Sequence, residues 1–460
     1  MKKRVAIVLV LGSLCSCESF VSGVNEDDIT RPQDGDLKLI LTAAELHYMG
    51  WLESDVARLA GLWSGYFNGR ARQSASYYSY NVTASTSNAW WNNAYAAALK
   101  SIRIAKSKAI QFDNLSTLGI CEVMEASLMG TVAALWGDVP FKQATAIDEF
   151  PDPVYDLQTQ IIDDLIVQLD SAVLHLQANS PRDGDFLNGP TGPINNWVLT
   201  AYSVKARLLL YRRDYVKALS AATNGIQSPA NDLLGKHGAS LGERNLYFNF
   251  QANSAWSGDM TANNTWLGGL LNATTFGNRN HAKTNESARR AKYYSGSSVA
   301  TYLPNTGANG FFAMAASFPL HTAVETKLIA AECHARLGDP GNAIILLNQV
   351  RAILRSTYAS GVYLDFVSTD FDSGGIENPQ GTLPPNEALL REILEEKYVC
   401  LYGQVEAFNE IRRTNNALGI PPNTGTQHPQ RLLYPLTEFN ANKSIPNPIP
   451  GLFEKTTLFQ

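Results

Sequence analysis

Between Gly69 and Trp91 the chain reads GRARQSASYYSYNVTASTSNAWW. Arg70, Arg72 and Gln73 supply donors, Tyr77, Tyr78 and Tyr80 cluster among polar residues, and Asn81 and Asn88 add amides. Such side chains suit non-covalent recognition: ring faces stack on flat or apolar ligand surfaces, while guanidinium and amide groups bond polar substituents. Trp90 has two readings, a ligand contact or a second packed face with Ala94 and Ala97 at i+4 and i+7. Tyr78 and Tyr80 could also pack on one side, with Tyr77 incidental. Trp63 and Trp91 fall on helical apolar stripes and read as core. A second set, Trp256, Trp266, Tyr293 and Tyr294, lies in a stretch rich in Asn, Gly, Ser and Thr. Together these four could form a shallow aromatic platform.

Bond-breaking chemistry finds little in the same sequence. The 7 histidines are scattered, and none pairs with a Cys or Ser in a local catalytic signature. CxxC and HExxH do not occur, nor do the glycine patterns of phosphate and dinucleotide loops. Asp163-Asp164 and Glu395-Glu396 lie on amphipathic helical runs and read as solvated faces. A glycosidase dyad needs its carboxyls across a cleft. Cys121, Cys333 and Cys400 are isolated in helical runs and read as small buried hydrophobes. The expectation is no catalytic residue, no metal and no cofactor. No basic run follows the N-terminus, so nucleic acid is not an expected partner.

The elements that must hold these residues read mostly as helix. Apolar stripes predict helices within 37–67, 88–111 and 115–136, the last rich in small residues that admit close neighbours. Another is predicted over 153–178, after Asp152-Pro153. Three helix hairpins follow in the manner of tetratricopeptide pairs. The first joins 196–212 to 215–227, with Asp214 starting its second helix. In the second, Gly338 ends one helix, Asp339 caps the next and Pro340 takes its first turn. The third, LLREILEEKYVCLYGQVEAFNEIRR, turns near Gly403. Residues 68–87 and 233–320 are predicted to be irregular. ALWGDVPF, from Ala134 to Phe141, reads as a helix end: Gly137 suits the position after the last turn, Pro140 stops the helix from resuming, and Asp138 can bond turn amides.

Lys2, Lys3 and Arg4 precede the apolar run Val5–Leu14, the pattern of a secretory signal rather than a membrane span. It ends in Leu14-Cys15-Ser16-Cys17. Leu14 and Ser16 stand where a bacterial lipoprotein signal needs them relative to Cys17, so residues 1–16 are expected to be removed and Cys17 lipidated. Losing the three basic residues moves the formal net charge from −5 to about −8, which suits a soluble body over one lying on anionic lipid.

In this order the pieces resemble the SusD/RagB family of outer-membrane nutrient-binding lipoproteins. The likeness rests on the lipobox, the three hairpins, WGDVPF, SFPLHTAVETKLIAAECHARLGD, EEKYVCLYGQVEAFNEIRR and YPLTEFNAN. It runs over most of the mature chain. The resemblance implies an all-α fold of TPR-like helix hairpins forming a superhelical scaffold with an irregular, loop-rich capping subdomain. A tether over 17–36 precedes an N-terminal helical part over 37–232, a cap over 233–320 and a C-terminal part over 321–460 completing the same fold. It further implies a lipid-anchored, surface-exposed protein of the cell outer membrane. Such a protein captures oligo- or polysaccharide and passes it to a SusC-like TonB-dependent transporter, without catalysis. A RagB-type peptide binder and a helical-repeat adaptor without a small ligand are the alternatives.

Family members often carry Asp-Pro-Arg before a Tyr in the second half. Here NESARRAKYY places Arg289 or Arg290 before Tyr293 with no Asp-Pro, so contacts near it do not carry over. The region between the early helix and the Trp–Tyr helix often contributes to the family's ligand site. For a sugar, the candidate contacts are Arg72, Tyr77, Tyr78, Tyr80, Asn81, Trp90, Trp256, Trp266, Tyr293 and Tyr294.

Overall fold

Apolar stripes become helices along most of the chain, and small residues decide which helix sits at the centre. The computed structural model describes residues 35–253, 255–359 and 361–460, so Cys17 and the expected signal peptide lie outside the described residues. The chain enters as α1 (Leu37–Glu53) and α2 (Asp55–Trp63), separated at Ser54. A short helix, α3 (Arg72–Tyr78), occupies a stretch predicted to be irregular. The helix predicted over 88–111 is continuous but changes pitch: α4 (Ser87–Asn92) runs through a π-helical stretch, Asn93–Leu99, into α5 (Lys100–Gln111). Then come α6 (Leu115–Trp136), α7 (Gln158–Leu176), α8 (Asn195–Tyr211) and α9 (Tyr215–Asn224).

Helix α6 is long and apolar enough to cross a membrane by length and composition, yet it is buried throughout as the core helix. Glycine permits this. A Cβ on Gly130 would stand 2.6 Å from the Leu208 side chain of α8, and one on Gly119 would stand 2.7 Å from Leu176 and 2.9 Å from the Ala172 carbonyl of α7. Neighbouring helices therefore approach on both sides.

The end of α6 is structural. Gly137 takes φ 93°, ψ −130°, a backbone region closed to most side chains. Pro140 enters a two-residue ladder, Val139–Pro140 with Tyr155–Asp156. Asp138 does not bond its own turn as predicted. Its carboxylate accepts from the Gln158 amide at 2.7 Å, satisfying an open donor of α7. This is also why α7 starts at Gln158 rather than just after Pro153.

Segment 233–320 leaves and re-enters the scaffold at one place, because Leu233–Gly235 pairs antiparallel with Phe318–His321. Within it stand α10 (Leu246–Ala252), α11 (Trp266–Leu270) and α12 (Ser287–Tyr293), joined by short ladders and turns. The scaffold resumes with α13 (Ala323–Arg336), α14 (Pro340–Thr357), α15 (Pro385–Cys400), α16 (Glu406–Arg413) and α17 (Leu436–Ala441).

The hairpins stack on one another. Ala206, Leu209 and Leu210 of α8 and Ala218, Ala221 and Ala222 of α9 pack on Ile329, Ala330 and Cys333 of α13. On its other side α13 joins Ala343, Leu347 and Val350 of α14 and Ala388, Leu389 and Ile393 of α15. Asp214 accepts from Lys217 N at 3.1 Å and Asp339 from Asn342 N at 3.2 Å, as the cap pattern predicts. Each cap contributes about 1 kcal/mol.

Asp232 ties the entry of the cap to the scaffold by accepting from Ala323 N at 2.7 Å. Desolvation raises its carboxyl to about 7 against the opposing effect of that bond. The folded state therefore holds this proton more tightly than the unfolded chain, whose Asp titrates near ~3.9. The stabilising contribution of Asp232 is complete below about pH 4 and is lost as pH rises through 7. Thermal melts from pH 4 to 8 are expected to show this fall in the parent and a flatter profile in Asp232→Asn. Parallel profiles would refute the assignment.

Candidate functional site

A two-residue ladder, Asn68–Gly69 with Met260–Thr261, lays the start of α3 against the turn that follows α10. The Arg70 amide donates to the Asp259 carbonyl at 2.7 Å. Arg72 then grips the Asp259 carboxylate with Nε and a terminal nitrogen, both at 2.8 Å. The Asp259 side chain is buried, whereas that of Arg72 is 54% exposed. The Asp259 bond holds the Arg72 guanidinium above its ordinary pKa. Arg72 has φ 49°, a left-handed backbone that is uncommon outside glycine. The bidentate pair fixes the guanidinium plane at this helix entry.

Next to it stands Trp256. The Arg72 guanidinium lies 5.5 Å from the Trp256 ring, and Trp256 stacks on Phe250 at 6.3 Å with planes 17° apart. On Phe250 sits Arg58, 4.3 Å from the ring centre. Burial pulls the Arg58 guanidinium down to about 10, still charged at neutral pH. The Trp256 turn is pinned by Asn253, whose carbonyl accepts from the Trp256 and Ser257 amides at 2.9 and 2.8 Å. Trp256 is 39% exposed. The result is a held, partly exposed indole with Phe250 and a fixed guanidinium against its ring. That surface can stack on a flat apolar ligand face and donate to oxygens at its edge.

The two predicted clusters thus meet, but through only Arg72 and Trp256. Tyr78 lies half-buried at the far end of α3 with Asn81 exposed beyond it. Trp266 is half-buried and packs against the core at the start of α11. Five candidates prove to be core side chains, out of reach of a surface ligand. Tyr77 and Trp90 pack on each other at 5.5 Å, and Trp90 is 2% exposed. Tyr80 wedges between Trp63 and Phe453 while its hydroxyl accepts from Asn423 N at 2.7 Å. Tyr293 stacks on Tyr402 at 4.2 Å, and Tyr294 on Tyr302 at 5.4 Å. Their hydroxyls donate to the Val399 and Tyr66 carbonyls. Trp63 and Trp91 are core, as their stripes predict.

Phe250, Arg58 and Asp259 were not among the sequence candidates. Phe250 and Asp259 flank Trp256 in NFQANSAWSGD, an irregular stretch where a buried carboxylate implies a basic partner. Arg58 interrupts the apolar stripe of α2 and carried no such signal.

Elsewhere, one buried polar cluster is satisfied internally. Ser127 and His321 lie 3.0 Å apart, with the Tyr48 hydroxyl donating to Ser127 at 2.8 Å. All three are buried, and desolvation holds His321 well below its ordinary pKa, hence neutral. Among the described residues no carboxylate hydrogen-bonds this histidine. No group of three or more His, Cys, Asp or Glu is disposed to hold a metal ion among the described residues.

Glu395 and Glu396 do not line a solvated face as predicted. Glu396 is wholly buried between Arg279 and Arg289, at 2.5 and 2.6 Å. Burial opposes its ionisation, but the two guanidinium charges outweigh burial and hold the carboxyl far below the usual range. Glu286 pairs with the same two arginines at 3.0 and 2.6 Å. Asp163 stays on an open face: with Asp214, Arg212 and Lys217 it lines a cavity of about 300 Å³. There Arg212 meets Asp163 at 3.0 Å and Lys217 meets Asp214 at 2.9 Å, so its charges are matched.

Residues 36–233 match the SusD-like family model described as "starch-binding associating with outer membrane". No curated protein matches the sequence. Among solved structures, a SusD/RagB family protein from Bacteroides thetaiotaomicron shares 21% identity over 89% of this chain and 95% of its own, with a TM-score of 0.63. A structure described as Bacteroidetes AC2a SusD-like shares 16% over 93% of this chain and 100% of its own, with a TM-score of 0.72. A chitin-binding protein shares 18% over 92% and 100%, with a TM-score of 0.69. At these identities the structural likeness speaks for the fold.

Proposed function

Because the chain belongs to the SusD family, we propose that it is a non-catalytic glycan-binding lipoprotein of the outer membrane. In this reading Cys17 carries the lipid, the body faces outward, and the captured oligosaccharide passes to a SusC-like TonB-dependent transporter. The observation that carries the ligand class is the Trp256–Phe250 stack beside Arg72. A partly exposed indole suits the apolar face of a pyranose ring, and the guanidinium fixed against it suits ring hydroxyls. In this reading the ligand is bound and passed on unchanged.

Affinity electrophoresis and calorimetry against α-glucans, chito-oligosaccharides, pectic fragments and a peptide digest test the reading. Binding to at least one glycan with none to the digest is expected. Binding to peptides alone would replace the glycan reading with the peptide one. Binding to neither would leave the chain a helical adaptor.

A further inference from the structure

A cavity of about 180 Å³ lies beyond the end of α16, with Asn415 and Gln427 at its exposed rim and Arg412 and His428 buried in its wall. Its size is more than ten times the ~10–15 Å³ that one water needs. Two of its lining residues each leave one buried polar atom without a hydrogen-bond partner: Arg412 Nε and Gln430 Oε1. Buried groups of this kind are open to a hydrogen bond from whatever fills the cavity.

The charge of that occupant follows from Arg412. It is 2% exposed, and among the described residues no carboxylate comes within ion-pair distance of it. One terminal nitrogen donates to the carbonyls of Ala134 and Gln430 at 2.7 and 3.0 Å, and the other bonds Asn409 Oδ1. Phe408 and Phe459 cover its faces at 4.2 and 4.8 Å. The nearest acid, Glu406, is already engaged by Arg207 and Tyr211. Arg431, 6% exposed close by, also has no carboxylate partner among the described residues. Lys455 reaches Asn415 Oδ1 at 3.2 Å. Burying unpaired cations is costly, and a bound anion offsets that cost.

The rest of the wall is uncharged and hydrogen-bonding. Asn416 holds its turn closed through bonds with Ile420 at 2.8 and 2.9 Å, and Asn415 and Asn416 both take left-handed backbone angles. His428 Nε2 is committed to the Ile420 carbonyl at 2.7 Å, the Trp63 backbone also meets this ring, and burial lowers its pKa. One lining cation calls for a monoanion, and the Asn415, Gln427 and Gln430 amides call for hydroxyls. A phosphate dianion would meet too few cations.

We propose that this cavity is a second binding site, for a hydroxylated carboxylate of monosaccharide size, the chemistry of a uronic-acid unit. It is built from residues apart from the Trp256 surface and does not rest on that surface binding glycans.

Calorimetry and ligand-observed NMR on the whole protein with D-glucuronate, D-galacturonate, D-glucose and inorganic phosphate test it. The uronates are expected to bind at least about tenfold more tightly than glucose or phosphate. Gln427→Glu places a like charge at the rim without touching the core. It is expected to weaken uronate binding about tenfold while leaving the parent's glycan affinity unchanged. Trp256→Ala is expected to do the reverse. Arg412→Gln adds a stricter test if it folds. Equal binding of glucose, binding of phosphate without uronate, no effect of Gln427→Glu, or a uronate-soaked crystal with only ordered water in the cavity would each overturn the proposal.

Discussion

Trp256→Ala is expected to weaken glycan binding by about 2 kcal/mol or more, roughly 30-fold in Kd, with the fold intact. The ring is partly open and sits on a turn, so its loss opens no core cavity, and stability should stay within about 0.5 kcal/mol. What disappears is the exposed half of a stack whose inner half, Phe250, is held by Arg58. Trp256→Phe keeps part of the area and should fall between parent and alanine. Arg72→Ala gives a less readable result. It leaves the buried Asp259 carboxylate without its bidentate partner and loosens the turn that carries Trp256. Calorimetry with the best ligand of the panel, alongside circular dichroism and thermal melts, measures all three. Parent-like affinity in Trp256→Ala would move the glycan site away from this surface.

The second large effect concerns stability. Glu396→Ala is expected to cost about 3–5 kcal/mol, because it removes a buried carboxylate shared by two buried arginines. Arg279 keeps Glu286 and Glu392, at 3.0 and 3.0 Å, and Arg289 keeps Glu286 at 2.6 Å, so the cluster is weakened rather than emptied. The geometry adds a spatial forecast. Arg279 and Arg289 belong to the cap, whereas Glu392 and Glu396 belong to α15. Hydrogen exchange should therefore rise first in residues 279–293 and the facing turns of α15, ahead of α6. Urea unfolding within about 1 kcal/mol of the parent, or uniform exchange, would show that the cluster does not clamp the cap.

Features set by near neighbours in sequence were legible. The caps at Asp214 and Asp339 need only the next turn of chain, and the core places of Trp63 and Trp91 need only their own stripes. Trp256 stood out because no stripe claimed it. Tyr293 and Tyr294 lay in the same kind of stretch and misled for the same reason. Their burial under Tyr402 and Tyr302 depends on how irregular chain folds back, which leaves no period to read. Glu395 and Glu396 failed through distance. An amphipathic count cannot see arginines arriving from more than a hundred positions upstream. Asp138 shows the milder form, a carboxylate whose partner is the Gln158 amide rather than its own turn.

The pairing of Leu233–Gly235 with Phe318–His321 makes the cap a cassette. Its two ends are neighbours, so it can be exchanged between relatives as a graft without rerouting the helices beneath. Such an exchange is constrained by the Asn68–Gly69 ladder, by the arginine–glutamate clamp on α15 and by the aromatic core in which Tyr293, Tyr294 and Phe312 pack on Tyr66 and Tyr402. Outside those contacts the tip carrying Trp256 is free to change its aromatic and polar pattern. On the proposed function, a lineage can thus retune which ligand it recognises while inheriting one scaffold.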